Sequence, residues 1–442
     1  MTNLAWNVER VLPSAIADLH RLISIPSISS MPEHDADVAA CADAVSGLFR
    51  DLGASEVKLL DGGGKPAVWA NFPGPEGTPT VLLYAHYDVQ PTGDTDAWTS
   101  PAFEPTERDG RLYARGSADD KGGVALHVAA LRVFDGKPPV GVKVFIEGEE
   151  EVGSPSMPTL LDRYRDELAA DVYVVADSVN WEVGKPSLTT SLRGVADCQV
   201  TVSTLAEGLH SGQFGGVVPD ALTALCRLLA TLHDDAGNVA IEGLVTGTAP
   251  DLDYPEDRLL EETGLLEGVS QIGDGSVVER MWFKPAASVL AIDATPVAKA
   301  SNTLIPSARA KVSVRLVPGQ DPAAAAKALE EHLRRNAPWG AHVDVVAGQC
   351  GAPGRITLEG ERVEAAKTAF REAFGVDAVE IGCGGSIPIV AEFADRNPGA
   401  LVLVTAVTDP NSRMHGIDES LDLGDFAKAA LAETLLLNNL AG

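Results

Sequence analysis

Cysteine is scarce in this chain: its 442 residues hold five, Cys41, Cys198, Cys226, Cys350 and Cys383. The number is odd and no C-x-x-C occurs, which argues against a disulfide framework and a zinc knuckle. Reduced, buried thiols are expected, and with them a cytoplasmic setting. Basic residues are heavily outnumbered, with 34 Lys and Arg against 63 Asp and Glu and a net charge of −29. Without clustered positive charge there is no electrostatic basis for holding nucleic acid or an anionic membrane surface. Long apolar runs are missing as well, and none approaches the about 20 residues that cross a bilayer. The opening segment MTNLAWNVERVLPSAI has neither the basic start nor the continuous apolar stretch of a secretory signal.

The apolar pattern that is present alternates between two periods. Residues 4–23 and 35–53 carry helical spacing, with Val38, Cys41, Val45 and Leu48 on one face of the second. Short β-rich runs follow at 67–72, 80–85, 142–146 and 172–176, separated by helical stretches at 124–133 and 157–167. That alternation predicts an α/β fold with a mostly parallel, helix-covered sheet. After about residue 190 the order changes to a strand at 194–203, a helix at 219–232 with Pro219 near its first turn, and an irregular acidic stretch at 237–285. Strands at 288–293 and 309–316, a helix at 322–335 and a strand at 342–347 complete a β-α-β-β-α-β unit, a separate two-layer, ferredoxin-like α+β domain. Helical patterning returns at 361–374, then a strand at 400–406 and a closing helix near 425–440. The chain is expected to leave one domain (residues 1–191), build a second (192–356) and return (357–442).

Acidic and histidine residues collect where strands of the first domain should end. In open sheets of this type ligand groups gather at the carboxyl ends of strands. The segments are AHYD at 85–88, SADDKGG at 117–123, EGEEEVGS at 147–154 and VVADS at 174–178, with RMHG at 413–416 far downstream. Each has an ordinary reading: a polar strand end for His86 and Asp88, a helix cap for Asp119 or Asp120, a solvated acidic loop for Glu147–Glu151. Asp177 alone reads as a turn residue and His415 as a solvated loop histidine. Together they read as a site. His86 and Asp88 share a face of an extended backbone, so a carboxylate there can fix the imidazole tautomer for metal binding. Crowded carboxylates are unfavourable unless cations neutralise them. Two divalent cations balance Asp119, Glu151, Asp177 and one hydroxide, and a neighbouring glutamate can then take a proton from water.

The segments AHYDVQP, RGSADDKGG, EGEEEVGS, VVADS, GLHSGQFGG, RLVP and GGSIP occur in this order over nearly the whole chain. They resemble the co-catalytic zinc peptidase family of carnosine-type dipeptidases, glutamate carboxypeptidases, aminoacylases and succinyl-diaminopimelate desuccinylases. AHYDVQP, Trp98 with PAFEP, the E-E-x-G-S stretch and GGSIP resemble the dipeptidase branch in particular. The resemblance implies that His86 and Asp177 bind one metal, Glu151 and His415 the other, and that Asp119 bridges them, with a cis peptide before Asp120. It makes Glu150 the general base acting on a water shared by the metals, with Glu149 as the alternative in the triple-Glu run, and Asp88 the group that orients His86. It places His210 in the partner subunit's active site as an oxyanion stabiliser, and the smaller domain as lid and homodimer interface. Asn302 and Arg315 would bind the substrate's carboxylate end, and Gly385 and Ser386 would line the substrate site. Arg315 alternates with Val314 and Leu316, so it also reads as a surface strand residue, and His210 between glycines as an exposed loop residue. RMHGIDES departs from the family's usual histidine loop; His415 is taken because no other histidine follows His342.

The implied reaction is hydrolysis of a dipeptide or short peptide with two divalent cations, zinc foremost and manganese or cobalt as alternatives. Asp at 177, where deacylases tend to carry Glu, favours the dipeptidase over an N-acyl- or N-succinyl-amino-acid deacylase. A catalytically silent binding relative is expected to lack a ligand or base, and none is missing.

Overall fold

The computed structural model describes residues 3–385 and 387–442. In chain order its main elements are helices α1 (Asn3–Ile23) and α2 (Asp35–Asp51), strands β1 (Glu56–Leu60), β2 (Ala67–Phe72) and β3 (Thr80–His86), helix α3 (Lys121–Val133) and strands β4 (Gly141–Glu147) and β5 (Val172–Val179). Then come β6 (Gly194–Ser203), α4 (Ala221–Ala230), β7 (Ala286–Asp293), β8 (Ser307–Leu316), α5 (Pro322–Arg335) and β9 (His342–Gly351). Helix α6 (Glu361–Phe374), strand β10 (Leu401–Thr408) and helix α7 (Leu423–Asn439) close the chain. Two compact units result. One comprises Met1–Thr190, Ile356–Ile381 and Ile387–Gly442; the other Ser191–Arg355 with the short return Gly382–Ser386.

The first unit is built on a six-stranded sheet in the order β1-β2-β4-β3-β5-β10. Its three pairings β4–β3, β3–β5 and β5–β10 are parallel, while β1 and β2 add an antiparallel edge. Strands buried on both faces must be apolar throughout. Accordingly Val81–Ala85 and Val172–Ala176 are buried at every position. Val45 and Phe49 of α2 and Val124 and Val128 of α3 pack with Val68, Val81, Leu83 and Val144 of the sheet. Behind α3, Ala15 and Leu19 of α1 meet Ala125 and Ala129. Each such aliphatic side chain removed from water contributes about 1.5–3 kcal/mol. This packing fixes the strand ends, and therefore the side chains that leave them.

The second unit is a four-stranded antiparallel sheet in the order β7-β8-β6-β9, with α4 and α5 on one face. Its inward residues alternate: Ala196, Cys198, Val200 and Val202 on β6 are buried with Leu225 and Leu228 of α4 and Leu329 of α5. On β7 the residues Val289, Leu290 and Ile292 are exposed, and this strand is one of the sheet's two edges.

Local expectations shift in a few places, each for a visible reason. Pro219 lies before its helix rather than in the first turn, because the Asp220 carboxylate accepts from Thr223 N at 3.0 Å and caps α4 at Ala221. The stretch 157–167 is broken at Tyr164, which leaves helical geometry (φ −116°, ψ 37°) and accepts a hydrogen bond from Asp61 N through its hydroxyl. The stretch 237–285 is not wholly irregular: Glu256–Thr263 is helical, ended by Gly264 at φ +62°.

Candidate metal centre

Strand β3 delivers His86, wholly buried, at its last position. The ring's Nδ1 donates to the Asp88 carbonyl at 3.0 Å, with the Asp88 carboxylate at 3.5 Å. That fixes the tautomer and leaves Nε2 as the ligating nitrogen, 3.1 Å from Asp119 Oδ1. Expected only to orient His86, Asp88 does more through its carboxylate, whose two oxygens accept from the backbone N–H of Glu150 and of Glu151, each at 3.1 Å.

The two adjacent aspartates divide the roles that the sequence left open. Asp120 caps α3, accepting from Gly123 N at 3.2 Å and from His86 N at 3.2 Å. A Cβ at position 123 would lie 2.3 Å from Asp120 Oδ1, so this cap requires the glycine. Asp119 is joined to Asp120 by a cis peptide bond. Its Oδ2 lies 3.0 Å from His415 Nε2, and His415 Nε2 lies 3.2 Å from Glu151 Oε2. The carboxylate of Asp119 therefore sits between the two histidines.

The glutamate run is divided just as sharply. Glu149 is spent on backbone, accepting from Ser156 N at 2.7 Å and Lys65 N at 2.9 Å. Gly64 passes so close that a Cβ there would lie 2.1 Å from Glu149 Oε2. Glu150 and Glu151 are left to the donor groups. The side chains form two groups whose donor atoms lie within 4.8 Å of one another: His86 with Glu150 and Asp177, and Asp119 with Glu151 and His415. Asp177 stands near the carboxyl end of β5, beside β3 in the sheet.

Electrostatics define what this cluster needs. Burial pushes the carboxyls of Asp177 and Glu150 well above their ordinary values, and the carboxylates around each add to the rise. Burial alone would also raise Asp119, but hydrogen bonds from His415 and His86 hold it below the usual carboxylate range. Hydrogen bonds to Asp119 and Glu151 bring His415 up to about 10. Glu147, under the cluster and hydrogen bonded to the Tyr84 hydroxyl at 2.7 Å, is raised by burial to about 7. The Oε1 atom of Glu151 is buried and finds no hydrogen-bond partner among the described residues. An excess of buried carboxylates, two imidazoles aimed among them and an orphaned acceptor oxygen fit two divalent cations.

Several contributors were not singled out in the sequence. Gln90 donates through Nε2 to Glu151 Oε2 at 2.8 Å. It lies in the AHYDVQP segment but carries no charge to mark it. Arg115 and Glu419 are buried beneath the cluster and pair at 2.7 Å. Buried ion pairs leave no periodic pattern in a sequence. The remaining expected residues belong to the second unit. His210 is exposed on a two-residue strand paired with Thr303–Leu304, and its Nδ1 accepts from Gly212 N at 3.1 Å. The Asn302 carbonyl accepts from Ser211 N at 2.9 Å, which brings those two segments together. Arg315 is half-buried on β8, opposite Val195 and Ala286. Gly385 is half-buried, and Ser386 lies outside the described residues.

A mixed sheet with two adjoining N/O donor groups gathered beside its strand ends, and a ferredoxin-like second domain, defines a metal-dependent hydrolase. Comparison with known proteins agrees. The model of Peptidase family M20/M25/M40 matches residues 82–439. The cysteinylglycine-S-conjugate dipeptidase of Corynebacterium striatum is 36% identical over 442 residues, 98% of this chain and 96% of that protein. The Beta-Ala-His dipeptidase of Rattus norvegicus is 30% identical over 416 residues, 86% of this chain and 83% of that protein. Among solved structures, the dipeptidase Dug1p of Saccharomyces cerevisiae superposes with a TM-score of 0.88 over 99% of this chain and 98% of that one, at 24% identity. The chain belongs to Peptidase family M20/M25/M40 and is a metal-dependent hydrolase. Among the described residues no helix is long and apolar enough to cross a membrane.

Proposed function

We propose that this enzyme hydrolyses the amide bond of dipeptides, with Glu150 as general base between two divalent cations. The observation that carries this reading is the division of the Glu149–Glu151 run into one backbone anchor and two carboxylates, each in its own donor group. His86 and Asp177 would hold one cation, Glu151 and His415 the other, and Asp119 both. Two such cations supply Lewis-acid polarisation of the scissile carbonyl and lower the pKa of water to about 7. Zinc suits the mixed N/O donors, with manganese and cobalt as the alternatives.

Glu150 takes a proton from the attacking water as its oxygen bonds to the scissile carbon, and later delivers it to the leaving amine nitrogen. Its carboxylate stands beside His86 and Asp177, next to where the attacking water would be held. Asp88 keeps Glu150 in place through the backbone and His86 in place through its ring. His210, contributed by a second subunit, stabilises the oxyanion. Arg315 and Asn302 receive the substrate's carboxylate end, and Gly385 and Ser386 line the substrate site. The homodimer pairs along β7, whose exposed Val289, Leu290 and Ile292 form an unprotected apolar edge. The expected burial of the five free cysteines holds for Cys41 and Cys198 but not for the exposed Cys226 and Cys350, and exposed free thiols persist in a reducing cytoplasm.

A panel of dipeptides, including Cys-Gly, its S-conjugates and β-Ala-His, tested against N-acetyl and N-succinyl amino acids checks the substrate class. Efficient cleavage confined to the acylated amino acids would replace the dipeptidase reading with a deacylase.

A further inference from the structure

His415 is more than half exposed (57%) and sits in a loop with no regular structure. Arg413, His415 and Asp418 in this loop all have positive φ, at 53°, 62° and 58°. Non-glycine residues hold such angles only where their surroundings impose them. The surroundings here are Arg115, from the segment that leads to Asp119, and Glu419, at the end of the loop itself. Arg115, 1% exposed, donates through Nη2 to the carbonyls of His415 (3.2 Å), Gly416 (3.1 Å) and Pro91 (3.2 Å). Its Nη1 donates to Glu419 Oε2 at 2.7 Å. Glu419 in turn accepts from the backbone N–H of Gly116 (3.1 Å), Ala118 (2.9 Å) and Asp119 (3.1 Å). Further out, the Asp418 carboxylate accepts from Thr99 N and Oγ1 at 2.9 and 2.6 Å.

The guanidinium thus grips the backbone of the His415 loop while its carboxylate partner grips the backbone of Asp119. The ion pair is the rigid link between two ligands that come from distant parts of the chain. We infer that Arg115 and Glu419 are positioning residues that preform the cation pocket of Asp119, Glu151 and His415, and that they set the affinity of that pocket selectively over the one at His86. The selectivity follows from placement. His86 and Asp177 stand on neighbouring strands of one sheet and need no clamp, whereas His415 has only its loop. A planar fork that meets one carboxylate and three carbonyls cannot be reproduced by a lysine ammonium.

The inference rests on the two-cation reading of the site, and zinc titration of the metal-free protein by calorimetry separates the two. The wild type should take up two zinc ions, and His415→Ala should identify the step that belongs to its pocket. In Arg115→Lys and in Glu419→Gln that same step should weaken about 10–100-fold, as supporting groups behind metal ligands do. The other step should weaken less, because of its ligands only the shared Asp119 is held by this pair. Equal weakening of both steps, or two unchanged steps, would overturn the inference while leaving the two-cation reading intact; absence of zinc uptake by the wild type would remove both. Hydrogen exchange of the metal-free wild type needs no variant. The amides of Gly116, Ala118 and Asp119 should exchange slowly because Glu419 already holds them, and exchange at the rate of an open loop would also overturn the inference.

Discussion

His415 Nε2 lies 3.0 Å from Asp119 Oδ2, while the other oxygen of the same carboxylate lies 3.1 Å from His86 Nε2. One side chain therefore addresses both histidines, and its loss should be felt at both cation pockets. Asp119→Asn keeps the shape but replaces half of the shared acceptor with an N–H donor. We expect both zinc-binding steps to weaken by about 100-fold or more, beyond what supporting groups cause. Calorimetric titration of the metal-free variant checks this. One undiminished step would mean that Asp119 serves a single cation.

The adjacent glutamates should separate cleanly. Glu150→Gln should retain both zinc ions and lose about 10²–10⁴-fold in kcat, the range of general-base catalysis. Glu149→Gln disturbs acceptors that hold the backbone of Ser156 and Lys65. It should lower stability by about 1–3 kcal/mol and spare most of the turnover. Metal analysis, steady-state kinetics and thermal denaturation of the two variants make the comparison. Near-normal kcat in a zinc-loaded Glu150→Gln protein would hand the proton transfer to another group.

The elements of the sheet were legible because period-two and period-3.6 patterning mark buried strands and one-sided helices. The range 67–72, read from its apolar run, is strand β2 in the structure, and 322–335 is helix α5. The clustering of His86, Asp119, Glu151 and Asp177 was legible from segments at strand ends, and that of His415 only from the resemblance of whole motifs. What stayed hidden was the use of each carboxylate. Asp119 and Asp120 are identical in type and adjacent, and only the turn of the backbone between them decides which one caps α3. The Arg115–Glu419 pair was invisible for another reason: its partners are backbone carbonyls and amides, which every residue possesses. The triple-Glu run was divided by a contact, Gly64 against Glu149, that links separate loops.

Not every buried charge serves the reaction. His127 on α3 pairs with Glu433 on α7 at 2.9 Å and meets the Tyr84 carbonyl through Nε2 at 3.0 Å. Burial disfavours its charged form, but Glu433 more than compensates, and the imidazole titrates above its ordinary value near 6.5. A raised folded-state value means that the charged pair stabilises the protein fully below about pH 6.5, and that this stability is lost as the pH rises through the folded value. Replacing His127 with Gln should cost about 3–5 kcal/mol at pH 6, where it strands a buried carboxylate. The cost should shrink toward pH 9. Denaturant unfolding of wild type and variant across that range gives the difference, and a cost that grew with pH would reverse the assignment.

The role given to His210 has a distinctive consequence for mixed dimers. If each active site takes Glu150 from one subunit and His210 from the other, His210→Ala and Glu150→Gln lie in different subunits of the same site. Each variant alone should be nearly inactive, since every site lacks one group. Refolded or co-expressed together, half of the dimers are mixed by random assortment. In a mixed dimer, one site joins the intact Glu150 of the His210→Ala subunit to the intact His210 of the Glu150→Gln subunit. The other site lacks both groups. Activity should therefore recover to about a quarter of the wild-type value. Separately purified variants combined without subunit exchange should stay inactive, which distinguishes trans complementation from a simple sum. If His210 acted within its own subunit, a mixed dimer would contain only sites missing one group or the other, and the mixture would never exceed the average of its components.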